Sequence, residues 1–81
     1  MRFKLTSDAK KYLDSLDKES ANRIYDSLRK ATKTPPYGDI KTLQGSNGLY
    51  RLRVGDLRII FSIDNNNMIV FKISPRGQAY K

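Results

Sequence analysis

Eighty-one residues with no cysteine, no histidine and a net charge of +8 exclude several classes at once. Disulfide-stapled folds, thiolate or imidazole metal centres and histidine-based acid–base catalysis are all out of reach. A chain this short is expected to form one domain, 1–81, that hides roughly 60–65% of its unfolded surface, and 16 Lys+Arg against 8 Asp+Glu call for a polyanionic partner such as nucleic acid, a ribosome, an acidic protein or anionic lipid. No apolar run approaches the roughly 20 residues of a membrane span. The opening MRFKLTSDAKK lacks the apolar segment of a secretory signal, so the expected location is the cytoplasm, with no membrane partner.

Residues 2–5, RFKL, read as a short strand with Phe3 and Leu5 on one face. Ser7 follows as the expected N-cap of a helix over 7–16, with Ala9, Tyr12, Leu13 and Leu16 at helical spacing. Asp17 is the next cap, and Ala21, Ile24, Tyr25 and Leu28 form the apolar stripe of a second helix over 18–33. These stripes are core-packing faces, while Lys10, Lys11, Arg23, Arg29 and Lys30 make a solvated outer face. Residues 32–48 read as a connector: Pro35 and Pro36 stop the helix, and Gly38, Gly45 and Gly48 mark turns.

Three strands complete the chain, over 49–54, 57–63 and 68–73. Gly55-Asp56 is a two-residue hairpin loop, and it fixes the register. Val54 faces Leu57, Leu52 faces Ile59 and Tyr50 faces Phe61, all apolar and all on one side. On the other side Arg53 pairs with Arg58 and Arg51 with Ile60. For the last strand, Ile69, Phe71 and Ile73 are the expected core set, which requires an odd loop of three or five residues around Asn65–Asn67, with an asparagine at positive φ. Lys72 then joins the arginine face. The fold class is α+β, a small sheet with helices on one face. Its other face gathers Arg51, Arg53, Arg58 and Lys72. Like charges facing each other across strands are destabilising, and local rules fail most often where a site is built. Pro75 ends the last strand, and Arg76 and Tyr80 follow four residues apart in ISPRGQAYK.

The order strand, helix, helix, three strands, with YRLRVGDLRIIF followed by ISPRGQAYK, resembles the RelE/ParE toxins of type II toxin–antitoxin systems along nearly the whole chain. The hairpin and the tail are the specific part of the likeness; the helices match only in kind. The resemblance implies a microbial-RNase-like sheet and, in the RelE branch, a protein that enters the ribosomal A site and cuts mRNA without a metal or other cofactor. It carries over to Arg51, Arg53 and Arg58 on the sheet and to Arg76 and Tyr80 in the tail. The two positions on the first hairpin strand are often lysines in that branch, whereas here Arg51 and Arg53 are both arginine, and an arginine donates protons poorly near neutral pH.

In the chemistry so implied, the ribose 2′-OH attacks the adjacent phosphorus and the 5′-oxygen leaves. Arg58 and Arg76 are the candidates for stabilising the charge that develops. Arg51, Arg53 and Lys72 would hold the flanking RNA, with Arg53 also a weak proton donor to the leaving oxygen. Tyr80 either stacks on a base or takes the 2′-OH proton, which would require cationic surroundings to lower its pKa. Asp56 and Asp64 sit in turns and read as turn formers. The implied partners are a cognate acidic antitoxin, the ribosome and mRNA, with operator DNA bound only as the toxin–antitoxin complex. The alternative within the superfamily is a ParE-like inhibitor of DNA gyrase with no chemistry of its own; outside it, a plain nucleic-acid-binding module.

Overall fold

The computed structural model describes residues 2–33, 39–43, 45 and 48–75. Their elements run β1 (Arg2–Leu5), α1 (Ser7–Ser15), α2 (Lys18–Ala31), β2 (Asp39–Thr42), β3 (Leu49–Val54), β4 (Leu57–Asp64) and β5 (Asn67–Pro75). The strands form one sheet in the order β1-β5-β4-β3-β2, antiparallel except for the parallel pair β1–β5. This is the expected α+β arrangement, and among the described residues no helix is long and apolar enough to cross a membrane.

β1 alternates exposed and half-buried residues, turning Phe3 and Leu5 inward opposite Met68 and Val70. The first helix is capped one residue earlier than expected, by Thr6 rather than Ser7. The Thr6 hydroxyl accepts from the Ala9 N–H at 3.3 Å and donates to the Phe71 carbonyl at 3.1 Å, and the Thr6 N–H donates to the Val70 carbonyl at 3.0 Å. A tertiary anchor on β5 thus selects the cap. Asp17 caps α2 as expected, accepting from the Ser20 N–H at 3.2 Å. Glu19 in the first turn and Arg29 and Lys30 in the last complement the helix dipole. The helix stops at Ala31, two residues short of expectation, where Thr32 folds its hydroxyl back onto the Arg29 carbonyl at 2.7 Å.

Two expectations about the strands are corrected. The segment read as a connector contains β2, whose Ile40 and Thr42 pair with Leu52 and Tyr50. Four residues with one large apolar side chain are too short for a period of two to register. The β4–β5 loop is even, not odd. Asn65 (φ 49°) and Asn66 (φ 61°) both occupy the left-handed region, the signature of a two-residue type I′ turn that pairs Asp64 with Asn67. The core set is therefore Met68 and Val70, with exposures of 1% and 0%, whereas Ile69 is half-buried and Phe71 is 43% exposed. Ile73 still reaches the core opposite Ile59 because a β-bulge intervenes: Phe61 pairs with Val70 and Ile60 with Lys72, so Phe71 is the extra residue. β5 also runs on to Pro75, beyond the expected end at residue 73.

The β3–β4 hairpin matches its expected register, with Gly55 at φ 59° and Asp56 outside the positive-φ region. Both helices pack on one side of the sheet. Ala9 and Leu13 of α1 and Ile24, Leu28 and Ala31 of α2 meet Leu52, Ile59, Phe61, Met68, Val70 and Ile73. Tyr50 packs against this core and stacks on Phe61 with ring centroids 5.4 Å apart.

Candidate nucleic-acid interface

Because side chains alternate along each strand, the residues between the core positions all point to the face that carries no helix. The register arranges them in two rows across the sheet. One row reads Lys41 (β2), Arg51 (β3), Ile60 (β4), Lys72 (β5); the other reads Arg53, Arg58, Ser74. Neighbours within a row are about 4.8 Å apart and the rows about 6.6–6.8 Å apart, the ordinary spacings of a sheet. The sheet thus brings together Arg51, Arg53 and Arg58, as expected from the hairpin register, and Lys72, which reaches this face through the even turn and the bulge rather than the expected odd loop. Arg76 and Tyr80 lie outside the described residues. Pro75, which precedes Arg76, pairs with Leu57 next to the Arg58–Ser74 pair.

Burial on this face is uneven. Arg53 and Lys72 are exposed and Arg58 is half-buried, but Arg51 is 7% exposed and its row neighbour Ile60 5%. An arginine beside an isoleucine can lay its methylene stem on apolar surface. The Arg51 Nη1, the Arg58 Nε and the Ser74 Oγ are all shut off from solvent. Each of the three arginines interacts with other groups of the protein. Fixed cations at close spacing do one thing well: they stabilise negative charge placed, or developing, between them. An anion bridging Arg53 and Arg58 would also relieve the repulsion of a like-charged cross-strand pair.

Sequence reasoning missed Lys41 and Ser74. The signal for Lys41 was present in DIKT, where an apolar Ile40 precedes an outward lysine, but it is visible only once β2 is known to be a strand. Lys41 faces Arg51, a second like-charged pair. On the backbone, Asp39 is the register partner of Arg53. A separate open cleft of about 230 Å³, lined by Leu16, Ser20, Arg23, Ile24, Val54, Asp56 and Leu57, lies on the helix side, at the β3–β4 turn.

The architecture and the sequence have relatives. The family described as ParE toxin of type II toxin-antitoxin system, parDE, matches residues 3–80. RelE1 of Methanocaldococcus jannaschii is 33% identical over 88 residues, spanning 100% of this chain and 98% of that protein. In the archaeal RelE–RelB complex from Pyrococcus horikoshii a chain aligns with a TM-score of 0.79 and 30% identity, over 96% of this chain and 97% of that one. The isolated RelE toxin of E. coli shares the fold with a TM-score of 0.76, at 12% identity over 95% of this chain and 85% of that one. With nearly every residue inside the family match and a relative of one-third identity along its whole length, the chain belongs to the RelE/ParE superfamily of type II toxin–antitoxin toxins, in its RelE-like branch.

Proposed function

We propose that this toxin is a ribosome-dependent endoribonuclease that stops translation in the cytoplasm by cutting mRNA in the A site. The observation that carries this reading is the convergence of Arg51, Arg53, Arg58 and Lys72 on the helix-free face, against the like-charge rule. In the cleavage step the 2′-oxygen forms a bond to phosphorus, the bond from phosphorus to the 5′-oxygen breaks, and a 2′,3′-cyclic phosphate remains. Arg58 and Arg76 stabilise the added negative charge of the pentacoordinate phosphorus. Arg51, Arg53 and Lys72 hold the flanking phosphates, and Lys41 extends that track to the sheet edge. Tyr80 takes the 2′-OH proton or stacks on a base, and Arg53 is the weak donor to the leaving oxygen. With such limited acid–base chemistry, placement of the mRNA by the ribosome supplies much of the rate.

The silencing partner is an acidic antitoxin. Relatives are seen in toxin–antitoxin complexes, as in the RelE–RelB structures from Pyrococcus horikoshii and Methanococcus jannaschii, and a +8 chain suits a partner of opposite charge. Operator DNA is bound only by the joint complex. Inhibition of DNA gyrase is the second reading, favoured by arginine rather than lysine at both 51 and 53. Induction of the toxin in growing cells tests the choice: primer extension should reveal new ends inside translated codons, and an SOS response without such ends would support the gyrase reading.

A further inference from the structure

Phe71 has no part in the mechanism above. Of the described aromatic residues of the sheet it alone is exposed, by 43%, whereas Phe3, Tyr50 and Phe61 belong to the helix-side core or pack against it. A single exposed apolar side chain is ordinary, but the way this one comes to be exposed is not. Side chains of a regular strand alternate between the two faces. Between Val70 and Ile73, both buried in the helix-side core, β5 instead carries two exposed residues in succession, Phe71 and Lys72. The bulge is the cause. It sets two residues of β5 against the single Ile60 of β4, and neither of the two joins the core. An aromatic residue and a cation thus stand next to each other, open to solvent.

The backbone under the ring is pinned. The Thr6 N–H donates to the Val70 carbonyl at 3.0 Å and the Thr6 hydroxyl to the Phe71 carbonyl at 3.1 Å. A ring on a pinned backbone loses little freedom when it is covered. Its surroundings are cationic: Lys72 follows it, and the exposed Lys4 of β1 pairs with Ile69, two residues before it. An open aromatic face flanked by lysines meets the two needs of a single-stranded nucleic acid, a platform for a base and a positive track for the backbone. An apolar protein segment would call for apolar neighbours around the ring in place of these lysines.

We infer that Phe71 is a further substrate-contacting residue, whose ring stacks on a base of the single-stranded RNA while Lys72 holds the phosphate beside that base. It moves no proton and forms no bond to phosphorus. Every base offers a π-face, so this contact positions the message without reading its sequence. The inference rests on the RNA-cutting reading and deepens it.

The test compares Phe71→Leu and Phe71→Tyr with the unaltered chain. Leucine keeps an apolar side chain and removes the π-face; tyrosine keeps both. The readouts are thermal unfolding, binding of 2′-O-methyl RNA that cannot be cut, free and as the A-site codon of programmed ribosomes, and single-turnover cleavage of an ordinary message on those ribosomes. Both variants are expected to unfold at nearly the temperature of the unaltered chain, since the ring lies outside the core. Phe71→Leu should bind the RNA about 5- to 150-fold more weakly, the scale of one base–aromatic stack, and cleave more slowly at subsaturating toxin, whereas Phe71→Tyr should match the unaltered chain. An oligonucleotide with an abasic unit at the stacked position should bind the unaltered chain and Phe71→Leu alike. The inference is overturned if Phe71→Leu binds uncut RNA as tightly as the unaltered chain, or if its deficit persists in full at every abasic position. It is equally overturned if Phe71→Leu unfolds well below the unaltered chain, because the ring is then structural, or if it leaves RNA binding intact and breaks a dimer seen in sedimentation, because the ring then serves a second copy of the chain. If the unaltered chain binds the RNA and cuts nothing, the RNA-cutting reading falls by itself, and the binding comparison still decides the role of Phe71.

Discussion

Arg53 and Arg58 face each other across β3 and β4, and Lys41 faces Arg51 across β2 and β3. Each pair opposes charges of the same sign where a stabilising design would alternate them. If the arrangement serves an anionic substrate, relaxing it should help the fold and harm the activity. Arg53→Gln is therefore expected to raise stability in urea unfolding by about 0.2–1 kcal/mol, the scale of a cross-strand pair, while toxicity on induction falls sharply. A variant that is less stable and fully toxic would contradict the assignment. The two roles proposed for Tyr80 can be separated in a similar way. Tyr80→Phe keeps the ring and removes the hydroxyl, so a loss of about 10²-fold or more in cleavage marks a proton-transfer group; a small loss, with a large one in Tyr80→Ala, marks a stacking platform. The arginines of the sheet were legible in the sequence because Gly55-Asp56 admits one register, and six apolar residues check it. Ser74 was not legible because the expected strand stopped at residue 73, whereas β5 runs on to Pro75.

At the scale of elements, one side chain joins the helical layer to the sheet. Thr6 follows β1, caps α1 and bonds the backbone of β5 at Phe71. Thr6→Ala should cost about 1 kcal/mol, the usual value of a lost cap, measurable as a lower unfolding midpoint; no change would mean that the neighbouring Ser7 takes over the cap. Acid should act on α2. The Ser20 hydrogen bonds to the Asp17 cap, and the Lys30 hydrogen bond and charge beside Asp26, lower both carboxyl pKa values from their usual 3.8. A carboxylate with a lowered folded-state pKa contributes stability that is complete above the unfolded value and lost as pH falls through the folded one. Unfolding midpoints should therefore drop below about pH 4 and be flat above about pH 5, and Asp26→Asn should flatten part of that drop. The strands were less legible than the helices for a definite reason. The expected core set of Ile69, Phe71 and Ile73 assumed unbroken alternation, whereas the chain combines an even turn at Asn65-Asn66 with a bulge at Phe71, two changes of parity whose combined effect at Ile73 equals none. β2 was hidden by its brevity.

Over the whole molecule, charge is the dominant feature. A chain of +8 meeting an acidic antitoxin should be steered to it electrostatically, and steering acts on encounter more than on the final contact. Association rates should fall steeply from low to high salt while dissociation rates change little; a salt-independent association rate would assign the charge to RNA and the ribosome alone. The sheet separates two surfaces, a helix-covered core on one side and, on the other, two rows that are polar or cationic except for Ile60. That division makes the central claim, that the helix-free face cuts mRNA, open to a direct measurement. Purified toxin should be mixed with ribosomes paused on a defined mRNA, with the same mRNA free, and with both again in a chelator. The account predicts cuts inside the A-site codon of the ribosome-bound message, little cutting of the free one, product ends bearing a 2′,3′-cyclic phosphate, and no effect of the chelator. Intact mRNA on the ribosome, together with inhibition of gyrase-catalysed supercoiling by the same preparation, would contradict it.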